Sequence, residues 1–435
     1  MANLVNIKEH KDIARTKPIE VFPDPKTAII LTYQHTGAVN KPLVSVGDTV
    51  TIGQKIADSK ERVSAPVHSP ISGKIVKIGD IYNSCYSVCS EAIWIENDGK
   101  KTKDKTLTPI SESELQNTDN DVLLKRIREA GIIGLGGAGF PTSVKLAIPA
   151  DKTINTIIVN AAEGEPYDTA DERLMIEKTA NLVRGVRVLR KLLGNPKVIV
   201  ATKVSKIEAV PKLQEAFGKE PDTEVIAKHL TYQQGDASVL QKAILKYEAP
   251  PDKRSYEMGT IVQNVATINA IANAVFEGEP LISRVTTLNG DISEPKNLQV
   301  KIGTPISEIL IQNKVDTNDI RQVVIGGVMM GSALPTIGTP VTKRTSSIIV
   351  FSKSKYKSDQ PATACIHCSN CIQSCPVNLH PVMIYNAIMK GDFAKAEKLW
   401  IKDCIACGTC SYVCPSKLPL SGIICGSRRC YQKPQ

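Results

Sequence analysis

Two cysteine runs near the C-terminus carry the strongest chemical signal in the chain. Cys365, Cys368, Cys371 and Cys375 lie in CIHCSNCIQSCP, and Cys404, Cys407, Cys410 and Cys414 lie in CIACGTCSYVCP. Both follow C-x2-C-x2-C-x3-C-P, the bacterial ferredoxin spacing for [4Fe–4S] clusters. A cubane needs four soft thiolates. A tight loop presents three of them, and the fourth comes from the other run. The expected sets are therefore Cys365, Cys368, Cys371 and Cys414 for one cluster, and Cys404, Cys407, Cys410 and Cys375 for the other. Pro376 and Pro415 turn the chain after each fourth ligand. Zinc is the alternative, but zinc sites use paired knuckles rather than two runs of four, each closed by a proline. Two neighbouring clusters form a wire for single electrons, so the rest of the chain must hold or bind whatever loads it.

A glycine-rich loop and an acidic loop are the next candidates. Residues 134–141 read GLGGAGFP, and Gly134, Gly136 and Gly139 satisfy G-x-G-x-x-G. That motif normally follows a strand and opens a helix. Here the preceding segment has helical periodicity and Pro141 follows, so the ordinary dinucleotide reading fails on context. Such a loop still lets backbone N–H groups approach a phosphate or a flat ring. After the apolar run INTIIVN comes AAEGEPYDTADERL. Glu163 and Glu165 sit just past a strand, where α/β proteins bind ligands. A carboxylate there can accept hydrogen bonds from ribose hydroxyls or lie near a flavin ring. Asp171 and Glu172 are expected only to complement the dipole of the following helix.

These loops need elements to hold them. Residues 27–97 alternate apolar and polar residues between Gly and Pro turns, which predicts a small β-barrel or sandwich, followed by a polar linker over 98–118. From 121 to 240 helical and strand patterns alternate, which implies a mainly parallel sheet covered on both faces. DERLMIEKTANLVRGVRVLRKLLG reads as one long amphipathic helix, SKIEAVPKLQEAFG as a helix opened by Ser205, and TIVQNVATINAIANAVF as helix over 260–276. A small α+β unit is expected over 283–352. KSKYKSDQ then links it to the cysteine module, where two short helices should separate the cysteine runs.

Composition sets limits. The chain has 435 residues, 42% hydrophobic and 23% charged, with 12 cysteines and a net charge of +10. This is a multidomain globular chain rather than a disordered or fibrous one. No apolar run is long enough to span a membrane, and MANLVNIKEHKD lacks the apolar core of a signal peptide. A cytoplasmic location is expected, where clustered cysteines mean metal or redox work rather than disulfides. Aromatics are only 4%, so nucleic-acid binding by base stacking is not expected. The positive charge suits an acidic electron carrier or an anionic surface, or is simply a lysine-rich solvated exterior.

Together, GLGGAGFPTSVKL, NAAEGEPYDTADERLM, VQNVATINAI and the double cysteine motif resemble the C subunit of the Rnf complex, a ferredoxin:NAD oxidoreductase. The central region also resembles the 51-kDa flavoprotein subunit of respiratory complex I. The resemblance implies a multidomain α/β chain. It has an N-terminal β barrel-sandwich hybrid (1–100), a Rossmann-like FMN/NADH domain (119–280) and a β-grasp, SLBB-type domain (281–352). A two-cluster ferredoxin-like helical module (360–435) completes it. By the same resemblance Gly134, Gly136, Gly137, Gly139 and Phe140 match the flavin and nucleotide loop. Asn160, Glu163 and Glu165 match the acidic loop near the isoalloxazine, Tyr232 a nucleotide-loop position, and Asn264 the asparagine near the flavin phosphate. The implied cofactors are FMN and two [4Fe–4S] clusters, with NADH as substrate. Implied partners are other subunits of an electron-transfer complex or a soluble carrier, with a peripheral place on the cytoplasmic face of the membrane. A soluble relative feeding an amino-acid reductase or a corrinoid is the alternative, as is an adaptor that has lost NADH binding.

The chain departs from that family in several places. Gly164 stands where a cysteine is usual. Tyr232-Gln233-Gln234-Gly235-Asp236 lacks the glutamate and lysine expected there, and an N-terminal G-G-x-H-P is absent. The barrel resembles lipoyl domains, but Val63 rather than Lys60 falls nearest the modified position, so it reads as a docking surface. Cys85, Cys89, Cys425 and Cys430 remain. They are free thiols, a redox pair, or four ligands meeting on one metal. The basic tail from 415, with Lys417 and Lys433, is a docking element for an acidic carrier or a solvated end.

Overall fold

The computed structural model describes residues 5–104, 106–247, 250, 253–356 and 360–431, with the side chains of 429–431 outside that description. Cys430 and Lys433 therefore lie outside the described side chains.

The N-terminal unit is two small sheets. Thr27–Leu31, Val88–Asn97, Gly73–Asn83 and Thr49–Val50 form one, and Lys41–Pro42, Lys55–Asp58 and Val67–His68 the other. Alternation along the long hairpin sends Ile75, Ile93 and Ile95 inward, each burial worth about 1.5–3 kcal/mol. The lipoyl-like tip is not free. The Val63 carbonyl accepts the Ala38 N–H at 2.9 Å, and a Cβ on Gly37 would meet it at 2.0 Å.

The segment ahead of the barrel does not belong to it. Ile19–Val21 pairs in parallel with Lys296–Lys301 and becomes the edge of a six-stranded sheet. That sheet also contains Ser283–Gly290, Ser347–Ser352, Ile320–Ile325 and Ser332–Ala333. Helix Ile306–Gln312 covers it through buried Ile306, Ile309 and Leu310.

The central unit is a four-stranded parallel sheet in the order Thr223–Lys228, Lys197–Lys203, Thr156–Ala161, Thr260–Asn264. One face buries Ile157, Val159, Val198 and Val200 against helices Asn120–Glu129, Thr179–Leu192 and Val265–Ala272. The other buries Ile158, Ile199 and Val262 against Leu240 and Ile244 of Ala237–Leu245. The chain starts at Thr156–Ala161, runs outward by two strands, then returns to place Thr260–Asn264 on the other side. The crevice at that reversal is where such sheets bind ligands.

Three elements differ from the sequence expectation. The long helix breaks at Lys178 into Ala170–Glu177 and Thr179–Leu192. There the Thr179 hydroxyl bonds the Met175 and Ile176 carbonyls, competing with the helical ladder. The next helix starts at Ala209, not Ser205, because Pro211 is tolerated only in a first turn. Finally, Thr260–Asn264 is a strand, and the helix starts after it at Val265. Thr260, Ile261 and Val262 include β-branched residues suited to a buried strand, and the Asn264 side chain caps the helix by accepting from the Ala266 and Thr267 N–H groups.

The C-terminal module contains helices Asn370–Gln373, Pro381–Met389, Phe393–Lys398, Thr409–Tyr412 and Leu420–Tyr431.

Candidate functional site

The glycine loop, the acidic loop and Asn264 meet at the crevice. Gly134 and Gly139 close the glycine loop by N–H bonds to the Phe140 and Gly134 carbonyls. Leu135 donates its N–H to Thr267 Oγ1 at 2.9 Å. Gly136, Gly137 and Ala138 are exposed, and their N–H groups donate to no described residue. A Cβ on Gly136 would lie 3.1 Å from Asn264 Cβ, so the loop approaches Asn264 closely here. The loop is braced from outside. Arg344 Nε donates to the Gly137 carbonyl and its Nη1 to that of Cys85, both at 3.0 Å. Thr36 of the barrel donates its N–H to the Gly139 carbonyl. Beneath, the buried Lys145 ammonium donates to the Val262 carbonyl, and burial lowers its pKa to about 8.

The acidic loop is strained and charged. Glu163 and Tyr167 have φ of 46° and 68°, the left-handed region that side chains seldom adopt. Glu163 Oε1 accepts the Asp171 N–H at 2.6 Å, and Oε2 pairs with the buried Lys206 at 2.7 Å. Lys11, also buried, donates to the Glu163 carbonyl at 2.7 Å. Asn160 donates to the Gly235 carbonyl at 2.8 Å. Asp171 and Glu172 do more than complement a dipole. Asp171 Oδ2 accepts from Asn264 Nδ2 at 2.6 Å, and Glu172 pairs with Lys206 and Arg15, each at 3.1 Å. Burial, with Asp168 nearby, raises Glu165 to about 8. Burial likewise raises Asp171 to about 7, helped by Glu163, and Asp168 to about 6. Asp168 Oδ1 is buried with no partner, although Oδ2 accepts from Ser346 Oγ at 2.8 Å.

The N-terminal segment forms one wall of this loop. Tyr167 donates its N–H to the Glu9 carbonyl at 2.7 Å, and His10 stacks on Tyr167 at 4.7 Å. Val5 N–H reaches Gln233 Oε1 at 3.3 Å. Sequence reasoning missed Lys11, Lys206 and Lys145. Each is one lysine among many, and only burial against an acidic or carbonyl partner distinguishes it.

The two cysteine loops share one backbone design. Left-handed residues recur at matching places: His367 and Ala406, Ser369 and Gly408, Asn378 and Lys417. Cys371 and Cys414 bury together with Leu420. A cavity beside Pro376, Thr409 and Ile424 is lined by Cys375, Cys404, Cys407 and Cys410. Cys410 also packs against the Cys371–Cys414 pair, so the two cysteine runs interleave. Burial, Cys407 and Cys404 push the Cys410 thiol up to about 12. Burial also raises Cys375 and Cys407, and a nearby strong positive charge such as an iron–sulfur core would favour their thiolates; Cys404 is instead lowered to about 6, chiefly by Cys425.

The Cys404 loop docks on the crevice. The Tyr232 hydroxyl donates to the Cys407 carbonyl at 2.7 Å and lies 3.4 Å from Glu165 Oε1. Glu165 also accepts the N–H groups of Met329 and Met330 at 3.1 and 3.0 Å. A Cβ on Gly408 would meet the Met329 carbonyl at 2.8 Å. Tyr232, Glu165 and the 327–331 turn therefore join three units at one point.

Comparison with known proteins agrees with this geometry. Residues 3–100 match the RnfC barrel sandwich hybrid domain, 127–273 the Nuo51 FMN-binding domain, and 358–415 a 4Fe-4S dicluster domain. The chain is 38% identical to the C subunit of the proton-translocating ferredoxin:NAD(+) oxidoreductase complex of Clostridium ljungdahlii, over 87% of this chain and 82% of that one. The C subunit of the Na(+)-translocating complex of Acetobacterium woodii is 35% identical, over 89% and 87%. The chain belongs to this C-subunit family. It is an oxidoreductase subunit for electron transfer, built on an FMN-binding domain and a 4Fe–4S dicluster domain. Among solved structures, an NAD+-reducing [NiFe]-hydrogenase chain superposes with a TM-score of 0.47 at 22% identity, over 56% of this chain and 50% of that one.

Two family departures acquire a local cause. A Cβ on Gly164 would lie 2.6 Å from the Tyr232 carbonyl and 3.2 Å from Gly235 Cα. A cysteine there would displace the Tyr232 loop from its present place. Asp236 caps helix Ala237–Leu245, accepting the Ser238 and Val239 N–H groups. Of the leftover cysteines, Cys85 and Cys425 contact different partners. Cys85 Sγ contacts Thr342 Oγ1 at 3.5 Å, whereas Cys425 hydrogen-bonds Cys404. Among the described residues no three His, Cys, Asp or Glu side chains converge on a single-ion site.

Proposed function

We propose that the chain is the NADH-side subunit of an ion-translocating ferredoxin:NAD oxidoreductase complex, exchanging electrons between NADH and a partner subunit. When bound, FMN supplies the conversion between electron pairs and single electrons, and two [4Fe–4S] clusters supply the single-electron path. The crevice residues fit FMN. The open amides of Gly136, Gly137 and Ala138, with Lys145 and Asn264 close by, suit its phosphate. The protonation-prone carboxyls of Asp168, Asp171 and Glu165 suit hydroxyl and ring N–H groups. Lys11 and Lys206 hold the acidic loop in shape by fixing Glu163. Tyr232 carries the reading. Its hydroxyl ties the acidic loop to the carbonyl of Cys407, which makes the Cys404, Cys407, Cys410 and Cys375 set proximal to the crevice and the Cys365, Cys368, Cys371 and Cys414 set distal.

Among the described residues no helix is long and apolar enough to cross a membrane. The family's complexes translocate ions. We therefore place the chain on the cytoplasmic face, held there by its partner subunits.

The test is an NADH titration of the anaerobically purified chain, followed by its visible spectrum. Bleaching of both flavin and iron–sulfur absorption is expected. Clusters reducible by dithionite but untouched by NADH would overturn the NADH-side assignment. In Cys375→Ala the proximal cluster should be lost while flavin reduction by NADH persists.

A further inference from the structure

Tyr232 and Met329 cover the proximal cysteine loop, but the distal loop faces solvent. Apart from half-buried Cys365, residues 361–370 are exposed, Cys368 included. This loop is fixed rather than loose. Thr363 donates its N–H to the Ser416 carbonyl, and Ser416 Oγ donates to that of Ala364, both at 2.9 Å. The helix that follows it, Asn370–Gln373, packs against Thr409–Tyr412 and Pro381–Met389. This region exposes Ile366 at 65%, Tyr412 at 51% and Met383 at 42%.

Charge is sparse in the segments that build this face. The chain is 23% charged, yet residues 360–389 contain no Asp, Glu, Lys or Arg, and 404–427 contain only Lys417. Most of the module's charges fall between Lys390 and Asp403. Wrapping a cluster calls for apolar residues facing inward. It does not require that the outward face lack charge. A carrier that docks and leaves is steered by opposite charge, and the segments that build this face offer only the exposed Lys417. Exposed aliphatic and aromatic side chains with charge depleted are instead the composition of a lasting interface.

We propose that the face around Cys365 and Cys368, centred on Ile366 with Met383 and Tyr412, seats a permanently bound partner subunit. That subunit presents an uncharged apolar surface and holds the next electron acceptor. The proposal rests on the cluster assignment above. It sets aside an acidic carrier, which would instead favour the lysines of Phe393–Lys398.

The test compares tagged full-length wild type, Ile366→Glu and a Lys395→Glu/Lys398→Glu double variant, each purified without oxygen from the chain's own cells. Co-eluting redox subunits are quantified by mass and cofactor content. Elution is at about 0.1 M and about 1 M KCl, between which the Debye length falls from about 10 to about 3 Å. Wild type and the double variant should hold a stoichiometric redox subunit at both salts. Ile366→Glu should lose it by about tenfold or more, equivalent to about 1.4 kcal/mol or more. Iron content and the spectrum of the dithionite-reduced protein report the clusters separately. Should Ile366→Glu disturb its loop, Met383→Lys, on a helix outside that loop, repeats the test. The proposal is overturned by a partner that salt removes, by loss in the double variant, by full retention in the face variants, or by no partner on wild type. A purified wild-type dimer that Ile366→Glu converts to monomer would also overturn it, since the occupant would be a second copy. Wild type without iron would overturn the cluster reading and this proposal together.

Discussion

Glu165 is the residue on which the crevice chemistry turns. Its carboxyl is raised from 4.5 to about 8, chiefly by burial. A raised folded pKa means that the folded state binds more protons than the unfolded state between those values, so stability falls as pH rises through that window. Asp168 and Asp171 act in the same direction. The buried His35 and His68 act oppositely. Burial lowers them to about 4 and about 3, so their contribution is lost as pH falls below about 6.5. In the ligand-free chain Glu165 therefore contributes a fall in stability between pH 4.5 and about 8. Thermal unfolding from pH 4.5 to 8.5 checks this: relative to wild type, Glu165→Gln should lose a fall in stability spread across pH 4.5 to about 8. Buried charge also separates essential lysines from ornamental ones. Lys206→Met removes the cation shared by buried Glu163 and Glu172 and leaves them only Lys11 and Arg15, with an expected loss of up to about 3–5 kcal/mol in urea unfolding. Lys197→Ala removes an exposed pair with Glu224 and should cost no more than about 1 kcal/mol.

Among elements, the contact between the acidic loop and the 231–236 segment sets the electron path. Gly164 and Gly235 lie back to back, and a Cβ on Gly235 would meet Gly164 Cα at 3.0 Å. Gly164→Ala should push Tyr232 away from Cys407. Stopped-flow reduction should then show cluster reduction slowed about tenfold or more relative to flavin reduction, a loss of about 1.4 kcal/mol or more. Equal slowing of both steps would place the effect in nucleotide binding instead. Elements with long, regular patterns were readable beforehand, such as Asn120–Glu129 and the strands Thr156–Ala161, Lys197–Lys203 and Thr223–Lys228. Those decided by one residue were not. The Thr179 hydroxyl, Pro211 in a first turn and Asn264 as a helix cap each shifted a boundary, because a local side-chain bond outweighed the apolar period.

At the scale of the whole molecule, Lys343 ties three units together. Its amide N–H donates to Gln34 Oε1 at 2.8 Å, and its buried ammonium donates to the carbonyls of Pro66 and Gly131 at 2.6 and 2.7 Å. Lys343→Met should cost about 2–4 kcal/mol through the orphaned carbonyls and broaden or split the calorimetric transition, since the units would lose their shared anchor. Cofactor chemistry was already written in the residues. The cysteine spacing implied two cubanes and the crossed ligand sets, and GLGGAGFP with the glutamates pointed to a flavin or nucleotide crevice. Such motifs are local, since thiolates and amides must lie within a few residues to share one ligand. Long-range juxtaposition was decided by tertiary packing. Lys11 under Glu163, Tyr232 on Cys407 and Arg344 on Gly137 join residues far apart in the chain. No spacing rule connects them, because their contact depends on how separate units bury their faces against one another.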